Sequence, residues 1–152
     1  GDLMKSIGSV IDEVFQDLAV RSFNKDGKPL FDKGFRSWLW GRQEGRCGYC
    51  GCNVSIATHG NARIDHIVPQ SEGGAHYPPN LMLTCNSCNC SKGNRPIEYL
   101  RMHLRIRDSH LNGVITAQQA FSLMSLGVEL PLGPDPMFHF EGKNWDHIEV
   151  AQ

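Results

Sequence analysis

Apolar residues recur at three- and four-residue intervals near the start of the chain, which is the spacing of one face of an α-helix. This stripe predicts an amphipathic helix over residues 3–18. A turn is expected at residues 24–30, and a second, short helix is expected to contain Phe35, Trp38 and Leu39. The stripe of the first helix is formed by Leu3, Ile7, Val10, Ile11, Val14 and Leu18.

The middle of the chain carries the signals of two short strands. Residues 62–68 are expected to form one strand and residues 81–84 a second, with a long loop rich in glycine and proline between them. The segment that follows, residues 85–94, predicts one or two helical turns that end at Gly93 and Asn94. The pattern of this region is therefore two strands followed by a helix.

Two further helices are predicted after this region. Pro96 suits the first position of a helix that continues through residue 110. Thr116 is expected to cap the next helix, with Gln119 completing a capping box and Gly127 ending the helix. These elements predict an α+β fold. The predicted domain spans residues 1–152 and comprises an N-terminal helical part at 1–46, a core at 47–95 and a C-terminal extension at 96–152.

The size of the chain, 152 residues with 40% hydrophobic content, is that of one compact domain. The sequence has no run of 18 or more apolar residues, and its first residues lack a basic stretch followed by an apolar one. These features predict a soluble, cytoplasmic protein with neither a membrane span nor a signal peptide.

Positive charge is concentrated in two parts of the chain, although the formal net charge is only −1. Residues 21–46 sum to +4 and residues 89–110 to +3, and the cysteine-rich middle lies between them. This pattern could steer a polyanion toward the middle of the chain. Solvated helix faces would give the same pattern, so charge alone leaves both interpretations open.

All six cysteines lie in two short clusters, which is unlike the spread of cysteines in a disulfide scaffold. Two CxxC pairs, one in each cluster, are separated by 34 residues. Four thiolates from two such pairs complete a closed tetrahedral zinc shell, which predicts a structural zinc site. Cys52 and Cys90 are expected to be small buried side chains. The less favoured alternative is that either replaces a neighbouring cysteine as a zinc ligand. The predicted ligands are Cys47, Cys50, Cys85 and Cys88.

Between the two cysteine pairs the chain reads "DHIVPQSEGG" at 65–74, and "NL" follows at 80–81. The second pair continues as "CNSCNCSKG" at 85–93. With these residues and gaps, the segment 47–93 resembles the HNH nuclease family, and the spacing looks like that of the HNH domain of RNA-guided CRISPR nucleases. The resemblance implies a ββα-metal finger, in which a hairpin carries the DH pair and a helix carries the last residue of the motif.

The resemblance also implies a role for each residue of the motif. His66 would be the general base that activates a water against the scissile phosphorus, and Asp65 and Asn89 would hold one divalent cation. Asn80 would brace the loop and orient His66, and Lys92 would meet a phosphate. Asn89 stands where the family name has histidine, and its amide oxygen favours Mg²⁺ or Mn²⁺ at this site.

The implied substrate is DNA, expected to be double-stranded, in a bacterial or phage setting. An enzyme of this kind that cuts a palindromic site would be expected to form a homodimer. Arg95, Arg101 and Arg105 extend from the finger helix along a basic stretch and are expected to contact the nucleic acid. The alternative is a zinc-ribbon module that binds nucleic acid or protein without catalysis.

Six other histidines are scattered through the sequence and are expected to be surface or hydrogen-bonded residues rather than ligands. His76 is the best placed of them, because it follows the paired glycine in the loop that faces the expected site. These histidines are His59, His76, His103, His110, His139 and His147.

Overall fold

The computed structural model describes residues 33–76 and 78–142, together with Lys25. The helix predicted over 3–18, the turn predicted at 24–30 and His147 lie outside the described residues. Within the described part, the chain forms four α-helices and two strands. In chain order these are α1 (Lys33–Arg42), β1 (Ala62–His66), β2 (Leu81–Cys85), α2 (Asn86–Lys92), α3 (Ile97–Arg107) and α4 (Ala117–Ser125).

The two strands form an antiparallel hairpin, and its register places a cysteine at one end and the predicted DH pair toward the other. Ala62 pairs with Cys85 at one end, whereas His66 pairs with Leu81 at the other. Helix α2 begins directly after Cys85 and packs on both strands. The predicted α+β class is thus confirmed, and the hairpin followed by a helix is the ββα arrangement expected from the sequence.

The outer edge of β2 is covered by the residues that follow α1. The buried Gln43 side chain accepts a hydrogen bond from the Leu83 N–H at 2.7 Å and donates to the Leu83 carbonyl at 2.8 Å. Arg42 donates to the Leu81 carbonyl at 2.7 Å, and the Gly48 N–H donates to the Leu83 carbonyl. An unpaired strand edge exposes backbone donors and acceptors, so these bonds replace the missing third strand.

The main hydrophobic core lies between α1, the hairpin and α3. Every residue of β2 is buried, which explains why its sequence is a continuous apolar run instead of an alternating one. A second, smaller core joins α3 to α4. The largest apolar side chains that are fully enclosed are Tyr49, Phe35, Phe138, Leu39, Ile67, Leu81, Met82, Leu83 and Leu100.

The predicted helix ends agree closely with the structure. The capping box of α4 is present, with Thr116 and Gln119 bonded reciprocally at 2.9 and 3.2 Å. Gly93 closes α2 with a φ of 58°, and Pro96 lies one residue before α3. Strand β1 ends at His66, two residues earlier than predicted, because the next two N–H groups bond to Asn80. No helix among the described residues is long and apolar enough to cross a membrane.

Residues 133–141, which we call the C-terminal strap, return along α3 to the cysteine-rich end of the hairpin. The strap begins with a bond from the Gly133 N–H to the Arg105 carbonyl. It ends with the N–H groups of His139 and Phe140 bonded to the carbonyls of Tyr49 and Gly48, both at 2.9 Å. The strap therefore forms backbone hydrogen bonds with residues 48 and 49, which belong to no regular strand.

Two arginines that the sequence suggested for nucleic acid instead hold the strap. Arg101 bonds to both carboxylate oxygens of Glu141 at 2.8 and 2.9 Å and lies over the Phe138 ring. Arg105 donates to the Gly133 carbonyl at 3.1 Å. Both guanidinium groups thus form bonds within the chain, and their expected contact with DNA stays a prediction.

A double-mutant cycle on Arg101→Ala and Glu141→Ala should give a coupling of about 1 kcal/mol in the free energy of unfolding, since a bidentate pair exceeds the usual surface pair. Urea unfolding measures the coupling. The exposed pair Arg107–Asp108 serves as the control and should show no measurable coupling. No coupling in the Arg101 cycle would mean that the ion pair does not stabilise the docked strap.

Candidate metal centre and active site

The four predicted zinc ligands meet at one end of the hairpin. The sulfur atoms of Cys47, Cys50, Cys85 and Cys88 all lie within 4.8 Å of one another. The Cys50 and Cys85 sulfurs are 3.8 Å apart. A tetrahedron with zinc–sulfur bonds of about 2.3 Å has edges of about 3.8 Å, so the donor set fits a structural zinc ion.

Local geometry explains why these residues can present sulfur together. The backbone N–H groups of Tyr49 and Cys88 each point at the sulfur of the first cysteine of their pair, at 3.4 Å. A hydrogen bond from the Cys88 thiol lowers the pKa of Cys47 to about 5. A side chain at position 48 would lie 2.0 Å from the Met82 sulfur, so glycine lets the first pair approach β2 closely.

Cys52 and Cys90 are not part of this cluster. The structure exposes both thiols, so the expectation that they are small buried side chains is wrong. The Cys90 thiol lies 3.9 Å from the side-chain oxygen of Asn86.

Replacement of Cys85 and Cys88 together by serine should abolish zinc binding and lower the melting temperature strongly, because a structural zinc site contributes directly to folding free energy. Mass spectrometry of the metal content and thermal unfolding are the measurements. Cys90→Ser is the matched control and should keep both values. A double variant that retains zinc and the wild-type melting temperature would contradict the four-sulfur site.

Asp65 is buried near the end of β1 in a network of two other side chains. The Tyr49 hydroxyl donates to one carboxylate oxygen at 2.6 Å, and the Lys92 ammonium lies 3.2 and 3.3 Å from the two oxygens. Burial raises the pKa of Asp65, and the nearby Lys92 opposes that rise. The three groups therefore fix the orientation of this carboxylate.

Lys92 is fully buried, although the sequence suggested that it meets a phosphate. Its ammonium donates to Asp65 and to the His66 carbonyl at 3.0 Å. Removing one partner of a buried ion pair costs about 3–5 kcal/mol, because the other charge is left uncompensated. The expected phosphate contact is corrected accordingly: Lys92 stabilises the end of β1 and its carboxylate.

His66 lies beside Asp65 and is half-buried. Its Nε2 atom lies 2.9 Å from Nδ1 of His76, and the two rings are tilted by 34°. Burial, followed by the influence of His76 and Lys92, lowers the pKa of His66 to about 4. The imidazole is thus neutral at physiological pH.

Asn80 is buried and braces the loop between the strands. Its side-chain oxygen accepts from the Val68 N–H at 2.9 Å, and its amide donates to the carbonyls of Val68 and Ala75 at 3.0 and 2.9 Å. Each polar atom of the side chain is therefore bonded to backbone. This geometry suits the bracing role expected from the sequence and places Asn80 behind the site.

Asp65, His66 and Asn89 line one polar cavity of about 300 Å³ at the end of β1. A carboxylate and an amide oxygen are ligands that hard divalent cations prefer, so Asp65 and Asn89 suit Mg²⁺ or Mn²⁺. The cavity brings together three residues that the sequence singled out. Its other lining residues are Ile64, Pro69, Gln70, Ser71, Gly93 and Asn94.

Two residues of the site were not predicted from the sequence, Tyr49 and His76. Tyr49 stands inside the first CxxC pair, where a side chain is ordinarily assigned to zinc-knuckle packing. His76 had a weak signal, since it follows two glycines in the loop that faces the site. Each of these side chains contacts a partner that is distant in sequence. Tyr49 bonds to Asp65, 16 residues later, and His76 lies against His66, 10 residues earlier.

Comparison with known proteins agrees with this geometry. Residues 47–95 match the model of the HNH endonuclease family. The chain is also similar to two proteins described as CRISPR-associated endonuclease Cas9. It is 36% identical over 85 residues, 55% of this chain, to the protein of Corynebacterium diphtheriae. It is 41% identical over 51 residues, 33% of this chain, to that of Actinomyces naeslundii.

The chain spans 8% and 4% of the length of these two relatives. The match therefore concerns a segment of each relative.

Proposed function

We propose that this chain is a metal-dependent HNH endonuclease that hydrolyses phosphodiester bonds in DNA, with His66 as general base and one divalent cation. The observation that carries the proposal is the shared cavity, since Asp65, His66 and Asn89 all line it. A neutral base and a cation site on one cavity are the two elements that phosphodiester hydrolysis requires.

In this mechanism His66 takes a proton from the attacking water as the new P–O bond forms and the bond to the 3′ oxygen breaks. The low pKa of His66 keeps the base in its neutral form before the reaction. The divalent cation held by Asp65 and Asn89 would supply charge stabilisation at the phosphoryl and leaving oxygens. The leaving 3′ oxygen is protonated by solvent.

The Asp65 network sets how strongly a cation is held. The Lys92 ammonium already pairs with the Asp65 carboxylate, so it partly neutralises the negative charge that would attract a cation. A carboxylate still has lone pairs to offer, and its orientation is fixed by the Tyr49 hydroxyl. We therefore expect weak cation binding in the absence of DNA and tighter binding when a phosphate adds its own oxygen ligands.

Two other arginines are better placed for DNA than Arg101 and Arg105. Arg63 is exposed on β1, two residues before Asp65, and it donates to the backbone carbonyls of Gly60 and Ala62. Arg95 is exposed after α2 and lies 3.7 Å over the Tyr99 ring. Neither forms an ion pair with a carboxylate of the described residues, which leaves both charges for phosphate oxygens.

His66→Ala should lower metal-dependent cleavage of supercoiled plasmid by at least about 10²-fold, since general-base catalysis contributes roughly 10²–10⁴-fold. The assay compares zinc-loaded protein with and without added Mg²⁺ or Mn²⁺. His110→Ala, at an exposed histidine, is the matched control, and zinc content should be unchanged in both variants. Undiminished cleavage by His66→Ala would remove this residue from the mechanism.

The same assay separates the enzyme from the alternative, a zinc-ribbon module that only binds. A binding module would retain plasmid binding and show no cleavage with either cation. Metal-dependent cleavage that His66→Ala abolishes would exclude that alternative.

Arg63→Gln and Arg95→Gln should each weaken DNA binding and reduce the slope of log K against log salt by about 1, because each removes one phosphate contact. Fluorescence anisotropy over a salt series measures the slope. Arg107→Gln carries the same charge change at a residue already paired with Asp108 and is the control. Equal slopes in all three variants would place the DNA elsewhere.

A further inference from the structure

The hydrogen bond between His66 and His76 defines which nitrogen of His66 faces the reaction. Nε2 of His66 and Nδ1 of His76 are 2.9 Å apart, which is within hydrogen-bond distance. His76 is 8% exposed and is not among the residues that line the cavity. It therefore lies outside the cavity and contacts the His66 ring, which lines it.

The two residues before His76 are held in place by hydrogen bonds. The Asn80 amide bonds to the Ala75 carbonyl, next to His76, at 2.9 Å. The Gly74 N–H donates to the Pro69 carbonyl at 2.9 Å, and a side chain at position 74 would lie 1.7 Å from the Val68 carbonyl oxygen. Only glycine fits this close to the Val68 carbonyl, so the loop holds His76 in one position.

A neutral imidazole has one N–H donor and one lone-pair acceptor, so a bond between two neutral rings fixes both tautomers. If Nε2 of His66 is the donor, the lone pair of His66 is on Nδ1. If His76 is the donor, Nδ1 of His66 carries hydrogen and cannot accept a proton. Only the first arrangement leaves a lone pair on Nδ1 of His66, where the ring can act as a general base.

We propose that His76 is a positioning residue that accepts a hydrogen bond from the Nε2–H group of His66 and thereby keeps the lone pair of His66 on Nδ1, where water is deprotonated. This inference rests on the proposed function, because it concerns the same base. During the reaction the water proton moves to Nδ1, and Nε2–H keeps its bond to His76. The bond strengthens as His66 becomes an imidazolium, since charge-assisted bonds are the stronger ones.

The kinetic test uses three variants and a plasmid cleavage assay under single-turnover conditions. His76→Leu should lower the rate constant of cleavage about 10- to 100-fold, the range seen when a partner that orients a histidine is lost. The dissociation constant for DNA should stay within about twofold, since His76 does not line the cavity. His76→Asn, whose side-chain oxygen can occupy the position of Nδ1, should recover most of the rate. His110→Leu should cleave like the wild type.

The spectroscopic test needs neither DNA nor a catalytic cation. Long-range ¹H–¹⁵N spectra of the imidazoles distinguish the two neutral tautomers, and comparison with His66→Ala assigns the His66 signals. The wild type should show His66 protonated on Nε2, and His76→Leu should show a mixture of tautomers. His76→Asn should restore the Nε2–H form. Retained zinc and an unchanged melting temperature show that each variant is folded.

The two tests also separate this inference from the proposed function. An active wild type with an equally active His76→Leu variant would overturn the inference and leave the nuclease proposal intact. His66 protonated on Nδ1 in the wild type would overturn it as well. A wild type that cleaves no DNA would refute the proposed function, and the tautomer of His66 would still decide whether the pairing is as proposed.

Discussion

The four-sulfur cluster is the constraint on which the rest of the structure depends. It ties the loop at Cys47 and Cys50 to the end of β2 at Cys85 and the start of α2 at Cys88. The loop carries Tyr49, and α2 carries Asn89 and Lys92. Because one ion would fix both segments against the hairpin, it would also fix the groups that surround Asp65. A small domain with a two-stranded sheet needs such a staple, since the sheet alone buries too little to be stable.

Beyond the cluster, the site is organised by buried polar contacts whose partners come from different elements. Asp65 is bonded by a tyrosine from the cysteine loop and a lysine from the helix, and His66 by a histidine from the loop between the strands. These contacts hold the carboxylate and the imidazole at the end of one strand, and none of them depends on a flexible side chain at the surface. The C-terminal strap contributes at a distance, because Phe138 and Phe140 pack edge-on against the Tyr49 ring. A buried network of this kind specifies one arrangement when every member is bonded.

The hairpin, the following helix, the capping box and the four sulfur ligands could be predicted because each depends on residues close in sequence or on a fixed spacing. The burial of Lys92 could not, since lysine is almost never fully buried unless it is paired, and its partner lies 27 residues earlier. The strap contacts of Arg101 and Arg105 could not be predicted for a related reason. Their charge suggested contacts with nucleic acid, whereas the strap to which they bond has two prolines and no periodicity to mark it as structured.

The central claim is that sulfur-bound zinc holds Asp65 and Asn89 so that both can bind one catalytic cation. Anomalous diffraction from crystals grown with Mn²⁺, with data collected at the zinc and manganese edges, tests it most directly. The account predicts zinc about 2.3 Å from all four cysteine sulfurs and manganese in contact with oxygens of both Asp65 and Asn89. Manganese bound away from either side chain, or no zinc at the sulfurs, would contradict it.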